Sequence, residues 1–178
     1  MSALRLSPEH AAWAQLAATL VNTRPRETDP PEKLVGLDEL SALLAACPEP
    51  PPAAGERDLG PMRELRPVLV DAFEATSPAT FAEAVNPLLA LSPWQLTAAG
   101  DGLTLGPVAG SPLADWFGAR AARGLSELVI AYGLERLHMC SADDCLCAVV
   151  DVSRNGTRRF CSRTCANRTN SRRHRARA

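Results

Sequence analysis

The most constraining feature of this sequence is a set of two cysteine pairs near its C-terminal end. Cys140 and Cys145 form the first pair, and Cys161 and Cys165 form the second. Two pairs of thiolates at such spacings are typical of a four-coordinate structural zinc site. A segment of about 40 residues buries too little apolar surface to fold unaided, and a bound metal ion would stabilise it. Two disulfides, or thiols that merely lie close together, are the alternatives.

Residues between and after the cysteine pairs predict a small finger. Ala148–Val152 is rich in β-branched residues, Asn155-Gly156 is the preferred pair for a tight type I′ turn, and Thr157–Phe160 would be the returning strand. Ser162 would cap a helix that starts at Arg163 and runs to about residue 175. We therefore predict a β-hairpin plus helix held by one structural Zn²⁺.

These residues also carry a family resemblance. Asp151–Gly156, Arg158–Ser162, Cys165–Arg168 and His174–Arg177 resemble the CGNR zinc finger, with Ala166 where the name-giving motif has glycine. That finger ends bacterial proteins whose N-terminal part is called the ABATE domain and which are described as stress-induced transcription regulators. The resemblance implies a treble-clef-like finger behind a mainly helical body with a minor sheet.

The rest of the chain predicts such a body. Alanine and leucine dominate its apolar residues, because aromatic residues make up only 4% of the chain, and this favours helices. Ser-Pro pairs would cap helices beginning at Pro8, Pro78 and Pro112, since serine caps free N–H groups and proline is favoured in the first turn. Further helices are predicted over 37–46 and 61–76, and a hairpin over 94–105. The fold class is mainly α with a small β-hairpin (α+β), divided into an ABATE-like helical domain at 1–136 and the finger at 137–178.

The stretch Leu20-Val21-Asn22-Thr23-Arg24 resembles the Leu-Val-Asn-Thr stretch found early in ABATE proteins. In this sequence it is followed by Pro25, so the first helix must end nearby. We interpret Asn22 as a helix terminator.

Charge is divided sharply along the chain. Residues 1–153 contain ten Lys and Arg against twenty Asp and Glu, whereas residues 154–178 contain nine arginines and no acid. Such a basic arm is typical of a segment that binds a polyanion, and docking of the arm on the acidic body is the alternative. On the predicted helix, Arg163, Asn167, Asn170 and His174 fall in a stripe opposite Cys165. Arginine and asparagine are residue types that read base edges.

The predicted nucleic-acid contacts comprise this stripe and the surrounding arginines. They are Arg154, Arg158, Arg159, Arg163, Asn167, Arg168, Asn170, Arg172, Arg173, His174, Arg175 and Arg177. An alternative interpretation of Asn167 is a hydrogen bond that supports the zinc loop.

No arrangement of residues indicates catalysis, and four thiolates would leave a bound zinc without an open position. We expect a non-enzymatic, cytoplasmic DNA-binding transcription regulator whose N-terminal domain senses a signal or mediates association. Its expected partners are DNA and possible homo-oligomers or the transcription machinery, with no membrane. The alternative is a zinc-stapled protein- or RNA-interaction module, in which Cys147 gives a thiol redox response.

Overall fold

The computed structural model describes residues 6–24 and 32–175. Helices dominate, and four short strands form two separate two-stranded sheets. The helices are α1 (Pro8–Val21), α2 (Leu37–Ala45), α3 (Leu59–Glu74), α4 (Pro78–Leu89), α5 (Leu113–Tyr132) and α6 (Arg163–Arg175). The strands are β1 (Trp94–Ala99), β2 (Gly102–Pro107), β3 (Leu137–Met139) and β4 (Ala148–Val150). Single 3₁₀ turns lie at Glu56–Asp58 and Leu134–Arg136. Among the described residues, no helix combines the length and apolar character that a bilayer span requires.

Two of the three Ser-Pro pairs cap helices as predicted. Ser7 accepts the N–H of His10 at 3.1 Å, and Ser77 accepts the N–H of Thr80 at 3.2 Å. The prediction is wrong at Ser111. Its Oγ lies 2.8 Å from the carbonyl oxygen of Val108 and 2.6 Å from Ser92 Oγ, and α5 begins at Leu113 without a side-chain cap.

Helices α1 and α5 form the centre of the body. Trp13 and Leu20 of α1 pack with Phe117 and Leu125 of α5, and all four are at most 1% exposed. Gly124 permits the close approach, because a Cβ there would lie 2.7 Å from the backbone nitrogen of Ala14. The two helices therefore contact each other through their backbones as well as through side chains.

The first hairpin also matches the prediction. β1 and β2 pair in antiparallel register from Trp94↔Pro107 to Ala99↔Gly102. Gly100 turns the chain with φ of 58°, a conformation that glycine adopts at little cost.

In the finger, the predicted strand partner is wrong. β4 pairs with β3 in the register Leu137↔Val150 to Met139↔Ala148, and residues 157–160 form no strand. A type I′ turn needs positive φ at both central residues, and among the described residues only glycines have positive φ. The chain instead turns with a hydrogen bond from Gly156 N–H to Ser153 C=O.

The finger sheet packs on the helical body. Leu137, Ala148 and Val150 belong to the same buried cluster as the helices. The body contacts β4 through α1 and β3 through α3. The body consequently supplies part of the apolar core that so short a segment lacks.

Candidate metal centre

The structure brings the sulfur atoms of Cys140, Cys145, Cys161 and Cys165 together. All four Sγ atoms lie within 4.8 Å of one another. Cys140 directly follows β3, Cys145 lies in the loop before β4, Cys161 precedes α6, and Cys165 lies in its first turn. The six cysteines of the chain all lie in the described residues and form no disulfide.

The donor set fits zinc. A tetrahedral ion with Zn–S distances of about 2.3 Å separates its sulfurs by about 3.8 Å. Cys161 Sγ lies 3.6 Å from both Cys145 Sγ and Cys165 Sγ. Cys140 Sγ accepts the backbone N–H of Cys161 at 3.4 Å, as a metal-bound thiolate would. Cys140, Cys145, Cys161 and Cys165 therefore form a site for one zinc ion, whose chemistry there is to crosslink the finger.

Without a metal, the surroundings of Cys140, Cys145 and Cys161 shift the pKa values of their thiols. Burial raises the pKa of Cys140 and Cys161. For Cys145, burial also acts to raise the pKa, but hydrogen bonds from Cys147, Cys161 and Cys140 together outweigh it, and the pKa is lowered to about 7. A divalent cation would favour the thiolate at all four positions.

Hydrogen bonds shape the loops around the sulfurs. Cys140 N–H donates to the Cys147 carbonyl at 2.7 Å, and Ser141 N–H donates to the Arg159 carbonyl at 2.9 Å. Ser162 Oγ accepts the N–H of Cys165 at 3.2 Å, so Ser162 caps α6 as predicted. Cys147 itself is buried, 5% exposed, among the finger's apolar residues; its redox role stays a prediction.

Asp151 organises the loop that leads to the second cysteine pair. It is 1% exposed, and its carboxylate accepts the N–H groups of Ser153 and Arg158, each at 2.8 Å. Burial alone would raise the pKa of Asp151, but these hydrogen bonds and the nearby Arg136 lower it. Arg136 also donates to the carbonyl of Ser153 at 2.6 Å. Sequence reasoning missed this role, although the Asp-x-Ser spacing is typical of an Asx turn.

Asn22 joins the body to the finger. It is the C-cap residue of α1, as predicted. Its Oδ1 accepts the Ala148 N–H at 2.8 Å, and its Nδ2 donates to the Ala148 carbonyl at 3.1 Å. The side chain thus pairs with β4 as a neighbouring strand would. Arg24 adds a bond to the Leu146 carbonyl at 3.1 Å, and neither contact was predicted from the sequence.

The predicted stripe of α6 faces outward. Cys165 and Thr169 are buried on one side of the helix. Arg163, Asn167, Asn170 and His174 are exposed. Further exposed arginines of the predicted set lie at Arg154, Arg158, Arg159, Arg172, Arg173 and Arg175, while Arg177 lies outside the described residues.

Three of the predicted arginines have partners inside the finger. Arg168 and Arg172 reach the carboxylate of Asp144 at 2.6 and 3.0 Å. Arg168 Nη2 also lies 3.7 Å from Cys165 Sγ, which places a positive charge beside the thiolate cluster. Arg158 donates to the carbonyls of Phe160 and Cys161 at 3.3 and 3.1 Å. Sequence reasoning missed Asp144 because 24 positions of the chain separate it from Arg168.

A four-cysteine cluster joined to a helical body defines a zinc-finger protein. Residues 136–178 match the model of the CGNR zinc finger. Residues 14–132 match the ABATE model, described as "Putative stress-induced transcription regulator", and the chain belongs to this family. No curated protein matches the chain.

Proposed function

We propose that this protein is a non-enzymatic transcription regulator that binds DNA through α6, while the helical body senses a signal or mediates association. One observation carries the proposal. In the described residues, the ion pairs of α6 are made to Asp144 within the finger, and none is made to the acidic body. This argues against docking of the basic arm on its own protein and leaves the stripe exposed to a partner.

Electrostatics favour a polyanionic partner. Residues 154–178 contain nine arginines and no acid. Within residues 32–175, five of these arginines make neither an ion pair nor a side-chain hydrogen bond: Arg154, Arg159, Arg163, Arg173 and Arg175. Planar guanidinium groups of this kind hold phosphates and displace condensed counterions. Five phosphate contacts correspond to a slope of log affinity against log salt of about −4.5.

The residue types in the exposed stripe of α6 favour duplex DNA as the partner, because they can contact base edges. α6 has 13 residues and is about 20 Å long, a size that enters the major groove. Arg163 carries the donor fork that matches guanine, and Asn167 and Asn170 carry the amides that match adenine. Asn167 is exposed, which supports base contact over a role in the zinc loop.

The metal site supports a structural role. Four thiolates complete a tetrahedral zinc, so no position is left for an activated water. Asp151, the only acid of residues 145–178, is buried and accepts hydrogen bonds from its own loop. In this proposal the zinc-bound cysteines fix α6 relative to the body, and α6 contacts the DNA.

The test is DNA binding by the zinc-loaded protein, followed by fluorescence anisotropy across a salt series. We expect one zinc per chain and a slope near −4.5. Replacing Asn170 with alanine should change the preferred sequence selected from random DNA, whereas replacing Arg159 with glutamine should weaken binding to all sequences and reduce the slope by about 1. Arg57→Gln, an exposed change on the body, is the control.

Two results would contradict the proposal. One is affinity for DNA that is independent of salt. The other is a preference for RNA or for a protein partner with no measurable DNA binding at low salt.

A further inference from the structure

A second site lies in the body, far along the chain from the cysteines. The first turns of α1, the β1–β2 hairpin and the middle of α5 enclose a cavity of about 370 Å³, which is within the range of small-molecule pockets. We propose that this cavity binds a small organic carboxylate with an apolar body. The inference deepens the signal-sensing part of the proposed function by naming the class of ligand.

Arg120 supplies the first argument. It is 7% exposed, and its guanidinium lies over the rings of Trp13 and Trp116, 5.8 and 5.1 Å from their centroids. Its Nη1 forms an ion pair with Glu49, but its buried Nε has no hydrogen-bond partner. The N–H at Arg120 Nε can only donate, so the group that it lacks is an acceptor.

Arg123 supplies a second cation one turn along α5. Its guanidinium covers the ring of Trp94 at 5.0 Å. Its Nε is 3.9 Å from Glu127, which is too long for a hydrogen bond. Arg123 and Glu127 thus form a loose ion pair, which leaves the N–H groups of the guanidinium able to donate to a carboxylate. Glu9 also lines the cavity and is exposed, and its negative charge favours a monoanion over a dianion.

The hairpin supplies the apolar wall. Leu103 and Leu105 pair with Ala98 and Leu96, so they share one face of the hairpin with Trp94. Leu103 and Leu105 line the cavity and are 73% and 42% exposed. Apolar side chains left this open gain stability when an apolar ligand covers them. Charge at one wall and apolar surface at the other match an amphiphilic carboxylate.

The tryptophans of the protein provide a fluorescence signal for ligand binding in this cavity. The chain has three tryptophans; Trp13 and Trp94 line the cavity, and Trp116 contacts Arg120. We expect titration of the zinc-loaded, DNA-free protein with phenylacetate or hexanoate to change tryptophan emission saturably, with an apparent Kd of about 1 mM or tighter. Phenylacetamide, which lacks the charge, should bind at least about tenfold more weakly.

Phenylacetate binding by two arginine variants tests whether the ligand occupies this cavity. Arg123→Gln should weaken phenylacetate binding at least about fivefold, because it removes the available cation. Arg57→Gln, which removes an exposed arginine elsewhere on the body, should leave it unchanged. Calorimetry on the same variants gives a readout that does not depend on Trp94 being stacked.

Either of two outcomes overturns the inference: no saturable signal from phenylacetate and hexanoate up to about 10 mM, or equal affinity for phenylacetate and phenylacetamide. Because these titrations contain no DNA, their failure is distinguishable from failure of the finger to bind a duplex.

Discussion

Replacing Asn22 with alanine tests the junction between the body and the finger. The change removes both hydrogen bonds to the backbone of Ala148, which is 2% exposed. An unsatisfied buried N–H or C=O costs about 1–3 kcal/mol. A cavity of about 150 Å³ beside these residues has room for water, which recovers part of that cost. We therefore expect a total loss of about 2 kcal/mol.

The assay is denaturant unfolding of the zinc-loaded protein, together with hydrogen exchange at the Ala148 amide. A loss of about 2 kcal/mol should lower the Tm by about 4–8 °C in a chain of this length. Exchange at Ala148 should accelerate at least about tenfold, because its N–H loses its acceptor. Asn86→Ala, an exposed change on α4, should stay within about 0.5 kcal/mol of the parent protein.

The reasoning would be refuted by an Asn22→Ala protein that matches the parent in unfolding free energy and in protection of Ala148. That result would mean that Asn22 only ends α1 and does not hold the finger.

Three further predictions follow from single contacts. Gly124→Ala should destabilise the protein by about 1–3 kcal/mol through overpacking against α1, whereas Gly60→Ala, where a Cβ meets nothing within 4 Å, should be neutral or stabilising; equal effects in thermal unfolding would contradict this. The pKa of Asp151 is lowered on folding, so its carboxylate stabilises the protein above its unfolded pKa of about 3.9, and that stability is lost as the pH falls through the lowered value. Asp151→Asn should thus cost about 1–3 kcal/mol at pH 7 and progressively less below about pH 4; a deficit independent of pH would exclude the ionic role. Asp144→Asn should release two α6 arginines and steepen the salt slope of DNA binding by up to about 2; an unchanged slope would place both arginines away from the DNA.

The sequence predicted the features that depend on local chemistry. The cysteine spacing predicted the cluster, Ser7 and Ser77 predicted two helix starts, and the 100° periodicity of α6 predicted which of its faces is exposed. The two members of each cysteine pair, the capping residues and the residues of one helix are close in the chain, so their spacing is informative.

The features that the sequence did not predict depend on side chains that hydrogen-bond to backbone groups. Asn22 and Ala148 are separated by 126 positions, and no local pattern indicates their pairing. The returning strand at 157–160 was predicted from the Asn155-Gly156 turn pair, but the N–H of Arg158 donates to the side chain of Asp151 instead. Competition from a side chain of this kind is a tertiary effect that propensity does not include.

The length of helix α1 is fixed by the contacts that are made at its two ends. Its 14 residues begin at the wall of the cavity and end at the side chain that holds β4. Adding or deleting one residue would turn one end by about 100° and shift it by about 1.5 Å relative to the other, so both attachments could not be kept. Chimeras that exchange fingers between relatives should therefore carry α1 and β4 as a matched set.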